Sequence, residues 1–305
     1  MTAPRTDPTA HAAATVIRIG WVAVGLLGSL AIADVAPRDH NVGRVALLVA
    51  AAAGWLAVSF ALAVRSTINL TVSRLGTLSA MALFAIAVAH DNTVAASAAL
   101  AVCAACCVAS LTPEWGEWHV SATAYPNERR LPLRPPAVAQ YLLIPLTALV
   151  GAVGPWPGLW RWAQNGGTGA VLLAVLGLAF SVVAVAVLHP HARRWLVFVP
   201  AGFVVVDGLT LADPTLFQRA IVTSLGPAPH DALGRADTID LTNNAVGLAL
   251  LAEFDRPVEL GILSGRDVSA ARASAVLFTP TRPGQVVAEA AARRFATRTQ
   301  GAAGS

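Results

Sequence analysis

Apolar residues fill the first 190 positions in six closely spaced runs, 16–33, 45–64, 75–89, 93–111, 138–156 and 168–188. Each comes near the roughly 20 residues that an α-helix needs to cross a hydrocarbon core about 30 Å thick. Five of the six runs contain no Asp, Glu, Lys, Arg or His. Arg18 alone intrudes, two residues inside the first run, where a long side chain can reach the headgroups. The third run is short, but it extends back to Ile68 if Arg74 reaches out in the same way. Helices on a soluble core carry a polar stripe, and six runs without one exclude that class. The pattern predicts a transmembrane domain of six α-helices over 16–190, preceded by a disordered N-terminus at 1–15.

After Leu188 the pattern changes. The segment His189-Pro190-His191-Ala192-Arg193-Arg194 ends the last run with a proline and a basic flank. The runs 195–199 and 202–207 are rich in β-branched and aromatic residues, and Pro200-Ala201 between them predicts a tight hairpin. Further strands are expected at 215–218, 220–225, 238–242, 246–254, 257–260 and 275–279. The small residues at 264–274 read as an inserted helix or loop. Residues 283–295 predict an amphipathic helix, with proline at its start and Val286, Val287, Ala290, Ala291 and Phe295 as its apolar face. The expected second domain is therefore a small, mostly β unit over 191–295, followed by a disordered tail at 296–305.

Two stretches give this second domain a resemblance. One is the hairpin Arg194-Trp195-Leu196-Val197-Phe198-Val199-Pro200-Ala201-Gly202-Phe203-Val204-Val205-Val206-Asp207. The other is the later run Leu216-Phe217-Gln218-Arg219-Ala220-Ile221-Val222-Thr223-Ser224-Leu225. Strands of this kind, ahead of one C-terminal helix, resemble the bacterial pleckstrin-homology-like domains. The resemblance implies a partly open barrel with a C-terminal helix and a role in binding protein or lipid headgroups. The whole architecture is similar to actinobacterial polytopic membrane proteins, a likeness that implies no activity. Two segments depart from the pattern, the polar 226–237 and the small-residue 264–274.

Charge orients the chain. All 21 basic residues are Arg, and the formal net charge is +4. Residues 1–194 carry twelve Arg against seven acids, so the basic balance belongs to membrane flanks and not to a nucleic-acid surface. If both termini are cytoplasmic, the inner flanks hold Arg5, Arg18, Arg65, Arg74, Arg129, Arg130, Arg134, Arg193 and Arg194, while the outer loops hold only Arg38, Arg44 and Arg161. The positive-inside bias then predicts a multi-pass protein of the plasma membrane with both termini inside. Ala31-Ile32-Ala33 also resembles a signal-cleavage site, but the run before it is longer than a signal core, and an uncleaved first helix is favoured.

Candidate chemistry is sparse. The sequence has no phosphate-binding loop, no dinucleotide fingerprint, no HExxH and no GxSxG. Cys103, Cys106 and Cys107 lie within the Ala-rich fourth run. With no fourth ligand in the spans, they read as small apolar residues that let this helix pack centrally, so no metal or cofactor is expected. Pro145 predicts a kink in the fifth span, and Gly151, Gly154 and Pro155 could loosen its outer end. The segment 112–135 places Trp115 and Trp118 at i,i+3 beside Glu114 and Glu117. With Arg129, Arg130, Arg134, Arg193 and Arg194, these tryptophans form a candidate interface to lipid headgroups.

The resulting expectation is a non-enzymatic scaffold or accessory subunit, in contact with membrane lipids and with a protein partner in the membrane or cytoplasm. One alternative is a translocator of uncharged or lipidic cargo, since the span interiors offer few polar groups beyond Ser59, Thr77, Ser79, Ser97, Ser110, Gln140, Tyr141, Thr147 and Ser181. Another is an enzyme acting on a lipid-linked substrate, using Asp34, Asp39 and His40 or, at better spacing, Glu114, Glu117 and His119. Ser224 with His230 and Asp231 could also be assembled into a nucleophile and base, but these residues fall in a loop rich in proline and glycine.

Overall fold

The computed structural model describes residues 8–35, 42–235, 237–265 and 267–298. It divides into two compact units: the described residues of Thr6–Ala122 and Leu142–Ala192 form one, and those of Thr123–Tyr141 and Arg193–Ser305 form the other.

The first unit is helical. Its helices are α1 (Pro8–Val35), α2 (Val42–Ala63), α3 (Thr67–His90), α4 (Val94–Ser110), α5 (Pro113–Val120), α6 (Ile144–Val153), α7 (Pro155–Asn165) and α8 (Thr168–Leu188). Among the described residues, five segments are long and apolar enough to cross a membrane: His11–Ile32, Val42–Ala63, Thr67–His90, Ala139–Asn165 and Thr168–Arg193. A sixth is reached if α4 and α5, bent by 66° at Leu111-Thr112, count as one span. The bend has a local cause. Thr112 accepts the Trp115 N–H as an N-cap, and Pro113 sits in the first turn, so the chain restarts as a new helix. On α8, Leu172, Val175, Leu176, Val182 and Val183 all point outward. A helix that is apolar all round with its large side chains exposed is built for lipid and not for water.

Helices pack through small residues. Helix α4 packs against α1 and α3 through Ala96, Ala99 and Cys103, which are fully buried, but it does not take the central place expected of it: α3 touches more helices, and Val94 and Val108 of α4 are exposed. Helix α8 lies against α6 and α7, and a Cβ at Gly177 would collide with the backbone of Gly154. The fifth run extends beyond expectation into α7. Pro145 falls in the first turn of α6, just after a π-helical turn at Ala139–Leu143, and a second junction falls at Gly154-Pro155. The start of α1 at Pro8 makes 8–15 helical where a disordered segment was expected; residues 1–7 lie outside the described residues.

The second unit is β-rich. Its strands are β1 (Arg129–Pro132), β2 (Arg194–Val199), β3 (Gly202–Asp207), β4 (Thr215–Gln218), β5 (Val222–Pro227), β6 (Thr238–Asp240), β7 (Leu250–Ser264) and β8 (Asp267–Phe278), followed by α9 (Pro283–Ala292). Among the described residues they form two four-stranded sheets, ordered β1-β2-β3-β4 and β5-β7-β8-β6, and these do not close into a barrel. The β2–β3 hairpin turns at Pro200-Ala201, pairing Val199 with Gly202. Leu131, Leu196, Phe203, Phe217, Leu250, Phe278 and Val286 form the core. The rings of Phe203 and Phe217, and of Phe217 and Phe254, stack at 5.0 Å.

Three parts of this unit differ from expectation. Strand β1 comes from the chain between α5 and α6, which makes the unit discontinuous in sequence. The 264–274 stretch was expected as an inserted helix or loop, but its described residues are strand apart from a turn at Gly265: Asp267 to Ala273 pair with Ser264 back to Val258, so cross-strand pairing overrides the weak strand propensity of alanine. Residues 296–298, expected in the disordered tail, run beside β5, where Leu225 donates to the Ala296 carbonyl at 2.9 Å and Arg298 donates back at 3.0 Å. Residues 299–305 lie outside the described residues.

Candidate functional site

A cavity of about 620 Å³ opens in the helical unit between α1 and α2. Its origin is in the packing. Helix α1 lies mainly against α4 and α5, and α2 against α3 and α7, so α1 and α2 meet only sparsely. Two tryptophans bridge them at one end. The Trp21 indole donates to the Trp55 carbonyl at 3.2 Å and to Ser59 Oγ at 3.1 Å, and the Trp55 indole donates to the Trp21 carbonyl at 3.2 Å. Trp156 donates to Ser79 Oγ at 2.9 Å, and Ser79 in turn donates to the Ala152 carbonyl. The three indole N–H groups are satisfied within the protein, so these walls present hydrocarbon and aromatic faces.

Glycine supplies the space. A Cβ at Gly54 would meet nothing within 4 Å, whereas Gly25 and Gly28 admit the Trp55 and Phe84 rings against α1. Val22 and Leu26 line the cavity and are also exposed, so it opens sideways at the surface of the unit. Its volume lies within the range of about 300 to 1,000 Å³ found for small-molecule pockets. Arg44, in the first turn of α2, is its charged lining residue.

A second cluster lies where α2 and α4 end. Arg18 donates through Nε and Nη2 to the Leu62 carbonyl at 3.0 and 2.7 Å, and Arg74 donates to the Ser110 carbonyl at 2.9 Å. Cations on the last carbonyls of a helix offset its dipole. Arg65 stands 4.7 Å from the centre of the Trp118 ring and Arg18 5.8 Å, while His11 meets the same ring edge-on at 4.4 Å. Trp115 donates to Ser73 Oγ at 3.1 Å and is fully buried. Glu117 and His119 are also buried, and His119 Nδ1 lies 3.1 Å from the Ser66 carbonyl. Helix α5 is therefore packed into the helical unit rather than laid on its surface.

The seven residues expected at a headgroup interface are divided between the two units. Trp115 and Trp118 are buried in the helical unit. The five arginines belong to the β-rich unit, where Arg129 pairs with Glu289 at 3.2 Å, Arg130 pairs with Glu128 at 3.4 Å, and Arg134 donates to the Val246 carbonyl at 3.2 Å. Arg193 is exposed. Arg194 is buried, gripping Asp207 through Nε at 2.8 Å and Nη2 at 2.7 Å. Asp207 also accepts from the Leu209 N–H and the Thr210 hydroxyl.

Ser224 donates to Glu253 at 2.6 Å and accepts from Arg298 at 2.7 Å, within a surface network that includes Arg235. Among the described residues, no group of three or more His, Cys, Asp or Glu is arranged to hold a metal ion. Asp39 and His40 lie outside the described residues. The cavity itself was missed by sequence reasoning, although the glycines at 25, 28, 54 and 76 were its available signal. No family model, curated protein or solved structure matches this chain.

Proposed function

We propose that this is a multi-pass accessory protein of the plasma membrane, with both termini cytoplasmic, whose helical unit holds one lipid-like chain between α1 and α2. The observation that carries the reading is the sideways-opening apolar cavity of about 620 Å³. In a bilayer, such an opening faces acyl chains at very high local concentration. An apolar occupant gains little hydrophobic energy on leaving lipid for protein, so selection would come from packing against Trp21, Trp55 and Phe84. Arginine placement supports the orientation, because Arg18, Arg65 and Arg74 gather where α2 and α4 end, the end that the charge bias assigns to the cytoplasm. Two four-stranded sheets with a following helix support a recognition domain of pleckstrin-homology-like type.

The test is photolabelling in proteoliposomes with a diazirine-bearing fatty acid or phospholipid, followed by peptide mapping. Label on α1 and α2 around Leu26 and Leu48 is expected, and Gly54→Trp, which fills free space, should reduce it at least fivefold. Label confined to outward faces such as α8, unchanged in Gly54→Trp, would sink the reading.

A further inference from the structure

The loop between β6 and β7 places apolar side chains outward without a folding reason. Leu241 and Leu250 at its two ends are buried, yet Val246 and Leu248 are 48% and 42% exposed. No charged residue occurs between Asp240 and Glu253. The loop is held in shape: Asn243, Asn244 and Gly247 all take positive φ, and Ala245 donates to the Thr242 carbonyl at 3.1 Å.

Its attachment fixes where it can be. Arg134 donates to the Val246 carbonyl at 3.2 Å, and the Ala137 N–H donates to the Asn244 carbonyl at 3.3 Å. Ala137 stands two residues before Ala139, the first residue of the candidate span Ala139–Asn165. Two residues of chain reach at most about 7 Å. The headgroup layer of one leaflet is of similar depth, about 5 to 8 Å.

We infer that the 242–248 loop is a membrane-docking element of the β-rich unit, inserting Val246 and Leu248 at the boundary between headgroups and acyl chains, with Arg134 facing lipid phosphate. The occupant is the lipid of the membrane that Ala139–Asn165 enters. Continuity with the span selects lipid over a protein partner, and a loop apolar at its tip with arginine at its base matches the polarity gradient of that layer. Tyr141, exposed and amphipathic, lies at the same level of the chain. The inference rests on the membrane reading of the span and is independent of the cavity between α1 and α2.

The experiment places a nitroxide label at Val246→Cys, Leu248→Cys and, as control, Leu233→Cys, an exposed position in the 3-10 turn Ala232–Gly234. The full chain is reconstituted in vesicles of phosphatidylcholine and phosphatidylglycerol. Wild type carried through the same labelling reaction accounts for the three native cysteines, all of which are buried. Power saturation should show 246 and 248 accessible to oxygen and shielded from a water-soluble nickel complex by at least threefold relative to 233. Three results would overturn the inference: nickel accessibility at 246 and 248 equal to that at 233; immobilisation with shielding from both reagents, the mark of a protein contact; or a lipid signature at all three sites.

Discussion

Arg194 and Asp207 carry the most consequential pair of charges in the molecule, because neither side chain reaches solvent and the guanidinium also donates to the Arg134 carbonyl at 2.6 Å. A buried pair of this kind adds little over an apolar pair, but removing one partner leaves the other uncompensated. Asp207→Asn is expected to lower the stability of the β-rich unit by about 3 to 5 kcal/mol. The urea midpoint for proteolysis of the detergent-solubilised full chain would report it. The double change Arg194→Met with Asp207→Leu should recover much of that loss, whereas an unchanged midpoint in Asp207→Asn would show that the pair does not hold the fold. The sequence offered both residues, at the two ends of a predicted hairpin. It assigned Arg194 to a basic flank because a run of two arginines after a membrane helix carries the same local signal whether it faces water or a carboxylate.

At the scale of elements, helix placement depends on where side chains are missing. Gly177 faces the Gly154 backbone and Gly54 faces open space, although both are glycines inside apolar helices. Gly177→Leu is therefore expected to separate α8 from α6 and α7, at an overpacking cost of about 1 to 3 kcal/mol. Gly54→Leu should be neutral or stabilising by up to about 1 kcal/mol through helix propensity. Thermal aggregation followed by size-exclusion chromatography would separate them, with Gly169→Leu on α8 as a control that meets no neighbour. Equal melting of the Gly177 and Gly169 variants would refute the close-approach account. Helix α5 makes the same point with aromatics: the i,i+3 spacing of Trp115 and Trp118 was legible, but not that this face turns into the helical unit.

At the scale of the whole molecule, orientation is the open expectation with the simplest test. Alkaline phosphatase fused after Ser305 or after residue 65 should be inactive, while fusions after residue 40 or Asn165 should be active, and the reverse pattern would invert the topology. The sequence by itself determined that there would be long lipid-compatible helices, roughly where each lies, and that a β-rich region with a final helix follows. Those features arise from local composition and periodicity, which act within one element. The tertiary structure alone decided the rest. It made residues 129–132 an edge strand of a sheet whose other strands lie more than sixty residues away, paired the alanines of β8 with β7, and left a cavity where α1 and α2 meet only sparsely. These depend on which surfaces are brought together across long separations in the chain, and the same apolar or basic segment satisfies its local preferences in either arrangement.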